Sequence, residues 1–171
     1  SDFYVSRDGV LTIHEKKQPA EFPCADFCRI DCADKTEVRG EAGKTGVFYL
    51  ALEQHGLWKL KYDCGQGENG RGDKITVKRL SGEGDTVYCV GLGVGRPGGD
   101  YYTEDKALYV SGKIGGHYGF YRTLDEGVTF ERLNTDRQQF GEIHSIDGDC
   151  RVFGRFFLAT GSNGILYGEP A

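Results

Sequence analysis

The sequence holds no methionine, one tryptophan and four prolines in 171 residues. A chain without methionine does not begin at its own initiation codon, so the expectation is a mature, trimmed or partial polypeptide, and Ser1 is not followed by a signal peptide. There is no run of about 18 apolar residues, which argues against a transmembrane helix and a membrane partner. Positive charge is in deficit: 21 Lys and Arg against 26 Asp and Glu give a net charge of -5. That is not the balance of a nucleic-acid partner, whose phosphates select basic surfaces. The four histidines, His14, His55, His117 and His144, are scattered, with no i,i+4 pair and no H-E-x-x-H. No G-x-S-x-G elbow is present. Gly91-Leu92-Gly93-Val94-Gly95 lacks the helix and βαβ setting of a dinucleotide fingerprint. Neither a metal nor a cofactor is expected.

What is abundant is glycine, 27 residues, set among ten Tyr and ten Phe. Short runs such as Val47–Leu52, Leu57–Tyr62, Lys74–Leu80, Thr86–Val90, Ala107–Val110, Gly119–Arg122, Arg155–Ala159 and Ile165–Tyr167 are apolar or alternating. Most are bounded on at least one side by Gly, Asp or Asn. This is the pattern of an all-β, antiparallel protein. Its one helical candidate is a turn or two over Asp31–Glu37. The segments Gln18–Gly46 and Cys64–Asp73 read as long loops; the second contains Arg71-Gly72-Asp73, taken as part of a glycine-rich hairpin insertion rather than an integrin-type tripeptide. The even count of six cysteines, Cys24, Cys28, Cys32, Cys64, Cys89 and Cys150, fits three disulfides in an oxidising compartment, with pairing undetermined. A zinc site at Cys24, Cys28 and Cys32 is disfavoured by the wide spacing and by the lack of a nearby histidine.

A repeat organises these strands. Thr123-Leu124-Asp125-Glu126-Gly127-Val128-Thr129-Phe130 matches the Asp-box pattern S/T-x-D-x-G-x-T-W/F. In such a turn Thr123 and Asp125 bond backbone N–H groups, Gly127 takes positive φ, Thr129 joins the network and Phe130 packs beneath. Ser6-Arg7-Asp8-Gly9-Val10-Leu11-Thr12-Ile13 is a degraded copy, keeping Ser6, Asp8 and Thr12. Aromatic strands near positions 3, 57 and 119 set a period of about 55–60 residues, one four-stranded propeller blade with generous loops. The chain is expected to be one propeller segment, 1–171, of about three blade units at 1–56, 57–118 and 119–171. Closed propellers have about four to eight blades, so the ring is incomplete. The remaining propeller chain or self-association would close it.

The second half resembles the C-terminal end of glycoside hydrolase family 74, the xyloglucan endoglucanases and oligoxyloglucan reducing-end-specific cellobiohydrolases. The stretches carrying the resemblance are Val90–Gly93, Ala107–Gly116, Gly119–Asp125, Leu133–Gly141, Gly148–Arg155, Phe157–Gly161 and Gly164–Gly168. Residues 1–85 are similar to preceding blades more loosely. The resemblance implies two seven-bladed propellers facing across a cleft that holds xyloglucan. It also implies an inverting hydrolysis in which one Asp activates water and another protonates the leaving group. The family's two Asp contexts have no counterpart in the matched region, so no residue here is assigned a catalytic role. Cys150 stands where the family usually has Pro, Ser162-Asn163 departs from its pattern, and the segments around Cys24–Cys32 and Cys64–Asp73 look like insertions.

Sugars offer C–H faces to aromatic rings. Tyr101, Tyr102 and Tyr118, in loops, and Phe140, beside Gln138-Gln139, are therefore candidate glycan contacts. Trp58 is a further candidate, although its alternating strand also suits a core position. Asp147 and Asp149 form the best local carboxylate pair, read as a turn rather than a Ca²⁺ site. The function expected is the C-terminal propeller part of a secreted, extracellular xyloglucan-hydrolase-like protein that walls the polysaccharide cleft without supplying acid or base. The alternatives are a secreted glycan-binding or protein-interaction module and a structural piece of an extracellular assembly held by sheet-edge pairing.

Overall fold

The computed structural model describes residues 3–5, 14–23, 29–32, 45–65, 72–101 and 106–169; for 3–5, 14, 16, 29–32 and 45 it describes the backbone alone. The described residues form thirteen strands and no helix: β1 (Phe3–Val5), β2 (His14–Lys16), β3 (Arg29–Cys32), β4 (Thr45–Ala51), β5 (Leu57–Asp63), β6 (Lys74–Arg79), β7 (Thr86–Val94), β8 (Lys106–Ile114), β9 (His117–Thr123), β10 (Glu131–Arg132), β11 (Ile143–Gly148), β12 (Phe156–Thr160) and β13 (Ile165–Gly168). All pairings are antiparallel and between consecutive strands. They give a β1-β2 hairpin, two four-stranded meanders, β3-β4-β5-β6 and β7-β8-β9-β10, and a three-stranded sheet, β11-β12-β13. The larger sheets meet along their first strands: β7 packs against β3 on one side and β11 on the other. These are propeller blades in an open arc, not a closed ring.

Side-chain alternation makes the arc possible, because successive residues of a strand serve opposite faces. In β8, Leu108 and Val110 join Tyr49, Ala51, Leu57, Val87 and Tyr121 in the core between the first two blades. Ala107 and Tyr109 instead join Cys89, Phe120, Ile146 and Phe156 between the second and third. The other face of the first blade packs Leu50, Trp58, Leu60, Tyr62 and Cys64, with Phe22 against them. The third blade leaves Phe157, Ile165 and Tyr167 exposed at its far side.

Where β7 crosses β11 the backbones nearly touch. A Cβ on Gly91 would stand 2.1 Å from the carbonyl oxygen of Ile146 and 2.5 Å from the Cα of Asp147. Close strand packing, not phosphate binding, therefore explains this glycine of Gly91-Leu92-Gly93-Val94-Gly95.

Several expectations need correction. The sheets run from 29 to 79, 86 to 132 and 143 to 168, so the boundary at 56/57 falls between β4 and β5 and that at 118/119 falls within β9. The aromatic strands that set the repeat, β5 and β9, are the third strands of their blades. They mark the period but not its start. Asp31 and Cys32 lie in β3, paired with Tyr49 and Phe48, not at the head of a helix. Ile146-Asp147-Gly148 ends a strand, and only Asp149 begins the turn. Asp147 Oδ1 accepts from the Leu92 amide at 3.2 Å, and Asp149 Oδ1 from the amides of Arg151 at 2.7 Å and Val152 at 3.0 Å, so both carboxylates hold backbone.

Among the described residues no disulfide forms, against the expectation of three: Cys64 and Cys150 are thiols. Cys64 is buried within the first blade's outer cluster, Cys89 packs between the second and third blades, and Cys150 is exposed on a turn. Cys64 and Cys150 thus sit in separate environments, one inside a cluster and one on a turn. Cys24 and Cys28 lie outside the described residues, as does the side chain of Cys32.

Candidate functional site

Strand direction sorts the loops of the second blade between two ends. Val94 pairs with Lys106 at one end of the β7-β8 hairpin, and Ile114 pairs with His117 at the other. Nine-residue strands separate these ends by about 30 Å. Tyr101 precedes β8, and the Thr123–Phe130 turn follows β9, so both lie at the first end. Tyr118 lies at the second. Two tyrosines expected to act alike are thus on opposite sides of the molecule.

At the first end, the Thr123–Phe130 turn is closed by its own side chains. The Gly127 amide donates to Thr123 Oγ1 at 2.8 Å, and the Thr129 amide and hydroxyl donate to Asp125 at 2.8 and 2.7 Å. Thr123 Oγ1 in turn donates to Asp125 Oδ1 at 2.8 Å. Gly127 has φ 85°, and Phe130 meets the ring of Tyr121 edge-on at 6.5 Å. The hydroxyl and amide of Thr129, followed by Thr123, hold the Asp125 carboxyl down at about pKa 2. Glu126 binds the Lys59 ammonium and accepts from the Tyr49 hydroxyl at 3.2 Å, tying this turn to the first blade. Ser6, Asp8 and Thr12 lie outside the described residues.

Tyr101 is 4% exposed in the main core, with Lys106 Nζ 4.5 Å above its ring, so it offers no open face to a sugar. Tyr102 lies outside the described residues. Trp58 is core: it is 8% exposed, meets Phe22 edge-on and donates its Nε1–H to the His55 carbonyl at 2.8 Å. Nearby at the first end, a cavity of about 700 Å³ is lined by Arg122, Glu131, Arg151 and Phe153. Arg122 is already paired with Glu131 at 2.6 Å and stacked 4.7 Å over Phe153.

The second end is built differently. Asp85 accepts from the amides of Gly82 and Gly115, each at 2.8 Å, pinning the loop before β7 to the β8–β9 turn. The Tyr121 hydroxyl donates to the His117 carbonyl at 2.6 Å, and Arg132 Nη2 donates to the Tyr118 carbonyl at 2.7 Å. The backbone carrying Tyr118 is held at each of these points. The phenol itself is half-buried, within 3.5 Å of Ser111 Oγ and 3.4 Å of the Gly141 carbonyl. Burial pushes its pKa up despite the Ser111 contact, so the hydroxyl stays protonated and able to donate.

Beside it stands Tyr88, 41% exposed, with ring centroids 6.3 Å apart and planes 53° apart. Sequence reading passes over Tyr88 because it looks like an ordinary strand residue in Thr86-Val87-Tyr88-Cys89-Val90. The register shows why it is not: Val87 faces Gly112 and Cys89 faces Ser111, leaving Tyr88 as an unpaired bulge residue. A bulge bends the strand and redirects a side chain. Gly112 permits it, since a Cβ there would stand 2.1 Å from the Thr86 carbonyl oxygen. The glycine opposite Val87 is the one signal the sequence offers.

Phe140 lies on the third-blade side of this end, stacked on Phe120 at 6.1 Å with planes 4° apart. It lines a groove of about 500 Å³ with Asn134, Gln138, Leu166 and Tyr167. Tyr88 and Tyr118 therefore make an amphipathic pair of rings on a fixed support, able to stack against C–H faces and donate hydrogen bonds; Phe140 is their apolar neighbour.

No protein-family model matches the chain. It is 37% identical over 170 residues to xyloglucanase Xgh74A of Acetivibrio thermocellus, covering 99% of this chain and 17% of the relative. It is 30% identical over 180 residues to the oligoxyloglucan-reducing end-specific xyloglucanase of Emericella nidulans, covering 98% of this chain and 19% of the relative. Among solved structures, the GH74 xyloglucanase of Xanthomonas campestris superposes with a TM-score of 0.64 at 28% identity, covering 99% of this chain and 21% of that one. The chain spans about a fifth of the length of the proteins it matches.

Proposed function

The chain belongs to glycoside hydrolase family 74 as one part of a longer fold, and from that premise we propose that it is the C-terminal propeller part of a secreted xyloglucan hydrolase. In this reading it walls the polysaccharide cleft and leaves the catalytic acid and base to the rest of the protein. Either the remaining propeller chain or further copies of this one complete the ring. The observation that carries the cleft-wall role is the Tyr88–Tyr118 pair: two tyrosines, one exposed and one half-buried, on a hydrogen-bonded support at one end of the blade. A hydroxyl-rich chain with apolar ring faces is the ligand this pairing suits, by stacking and by donation from a neutral phenol. The carboxylates Asp85, Asp125, Asp147 and Asp149 are engaged by backbone amides or neighbouring side chains, which supports a non-catalytic role.

The test is affinity electrophoresis of the purified chain in gels containing xyloglucan, alongside an assay of released reducing ends. Retardation without release is expected, and Tyr118→Ala should abolish most of the retardation. Release of reducing ends would overturn the non-catalytic reading. Unchanged retardation of the Tyr118 variant would overturn the cleft-wall role.

A further inference from the structure

The bulge at Tyr88 has a counterpart one blade further on. In β11 the register passes from Ile143, opposite Thr160, directly to Ser145, opposite Ala159, leaving His144 unpaired. Both strands are the first of their blades, and both bulges fall within the opening three residues. They therefore sit at the same level and the same end of two neighbouring blades. A bulge gives up ladder pairing to re-aim a side chain, and here each releases a large polar-tipped ring to solvent: Tyr88 is 41% exposed and the His144 side chain 49%.

Tyr118 links the two positions. Its ring packs beside Tyr88, and its hydroxyl reaches the Gly141 carbonyl, three residues before His144. The segment between is fixed: the Gly161 amide donates to the Glu142 carbonyl at 2.9 Å, and Asn163 reaches the Phe140 carbonyl at 3.5 Å. His144 Nδ1 lies 3.7 Å from Glu142 Oε1, and its Nε2 lies over Gly161, where a Cβ would approach to 3.2 Å.

We propose that His144 is a polysaccharide-binding residue that extends the tyrosine surface from the second blade to the third, hydrogen-bonding a sugar hydroxyl beside the ring stacked on Tyr88 and Tyr118. This inference rests on the cleft-wall reading above and deepens it: the bound chain crosses the junction between blades instead of resting on one.

The experiment titrates the purified chain with soluble xyloglucan, comparing wild type with Tyr118→Ala, His144→Ala and His144→Gln, and records melting temperatures in parallel. His144→Ala should weaken binding about three- to tenfold, the worth of one hydrogen bond, with no fall in melting temperature. His144→Gln, which keeps a donor and an acceptor, should recover most of it. If Tyr118→Ala weakens binding but His144→Ala does not, the inference fails while the cleft-wall reading survives. If neither variant matters, both fail. A loss at His144→Ala that His144→Gln does not recover, accompanied by lower melting, assigns His144 to folding and overturns the proposal.

Discussion

Gly91→Ala tests the packing that joins the blades. Gly91 has an ordinary strand conformation, so alanine carries no backbone penalty there; the cost comes from its neighbours. The added Cβ would lie 2.1 Å from one backbone atom of β11 and 2.5 Å from another, where contact requires more than 3 Å. Backbone does not swing aside as a flexible side chain does, so β11 must retreat from β7 by about 1 Å, enough to forfeit a quarter to a half of the dispersion energy of the contacts opened. Those contacts belong to the cluster of Cys89, Tyr109, Ile143, Ile146 and Phe156. Overpacking of this kind costs about 3 kcal/mol, or a fall in melting temperature of about 6–12 °C for a chain this size. The control is Gly98→Ala, which meets nothing within 4 Å but has φ +67°; its cost is the left-handed conformation alone, about 1 kcal/mol. Circular dichroism melts of the two variants decide. If Gly91→Ala melts no lower than Gly98→Ala, the close crossing of β7 and β11 is not present in solution.

Three further outcomes follow from the same geometry. Asp125 is held near pKa 2 by Thr129 and Thr123, below its unfolded value of about 3.9, so its contribution to stability is complete above about pH 4 and is lost as pH falls toward 2. Urea titrations across that range should show a shallower loss of stability in Asp125→Asn, and parallel curves would contradict the assignment. The Lys59–Glu126 pair joins two blades, but its side chains are 25% and 42% exposed, so a double-mutant cycle with Lys59→Met and Glu126→Gln should give a coupling of only about 0.5–1 kcal/mol. That coupling should fade in about 1 M salt, where the screening length is about 3 Å. Alkylation of the native chain followed by peptide mapping should modify Cys150 rapidly and Cys64 only on unfolding; equal rates would contradict their burial.

The strands were legible because apolar residues alternate through Leu57–Tyr62 and Lys74–Leu80, and the repeat period was legible because aromatic strands recur near 57 and 119. Blade boundaries were not, since the recurring signal belongs to third strands, while β3 lies in a stretch, Arg29–Cys32, too short and mixed to announce itself. The candidate site was half legible. Tyr118 follows a Gly115-Gly116 turn and reads as a loop aromatic. Tyr88 and His144 depend on bulges, which are properties of pairing with a distant strand and leave almost no local trace. Tyr101 shows the reverse error: it follows Pro97-Gly98-Gly99-Asp100 and reads as exposed, yet the loop folds its ring back into the core. Polar flanks show where the chain turns, not which side chains return inward.

The measurement closest to the central claim is hydrogen exchange of the chain with and without soluble xyloglucan, read by peptide. Binding at the tyrosine end should slow exchange in peptides containing residues 85–88, 115–118 and 141–145, leaving 95–101 and 124–129 unchanged. Slowing at 95–101 and 124–129 alone would place the polysaccharide at the opposite end of the blades and contradict the account.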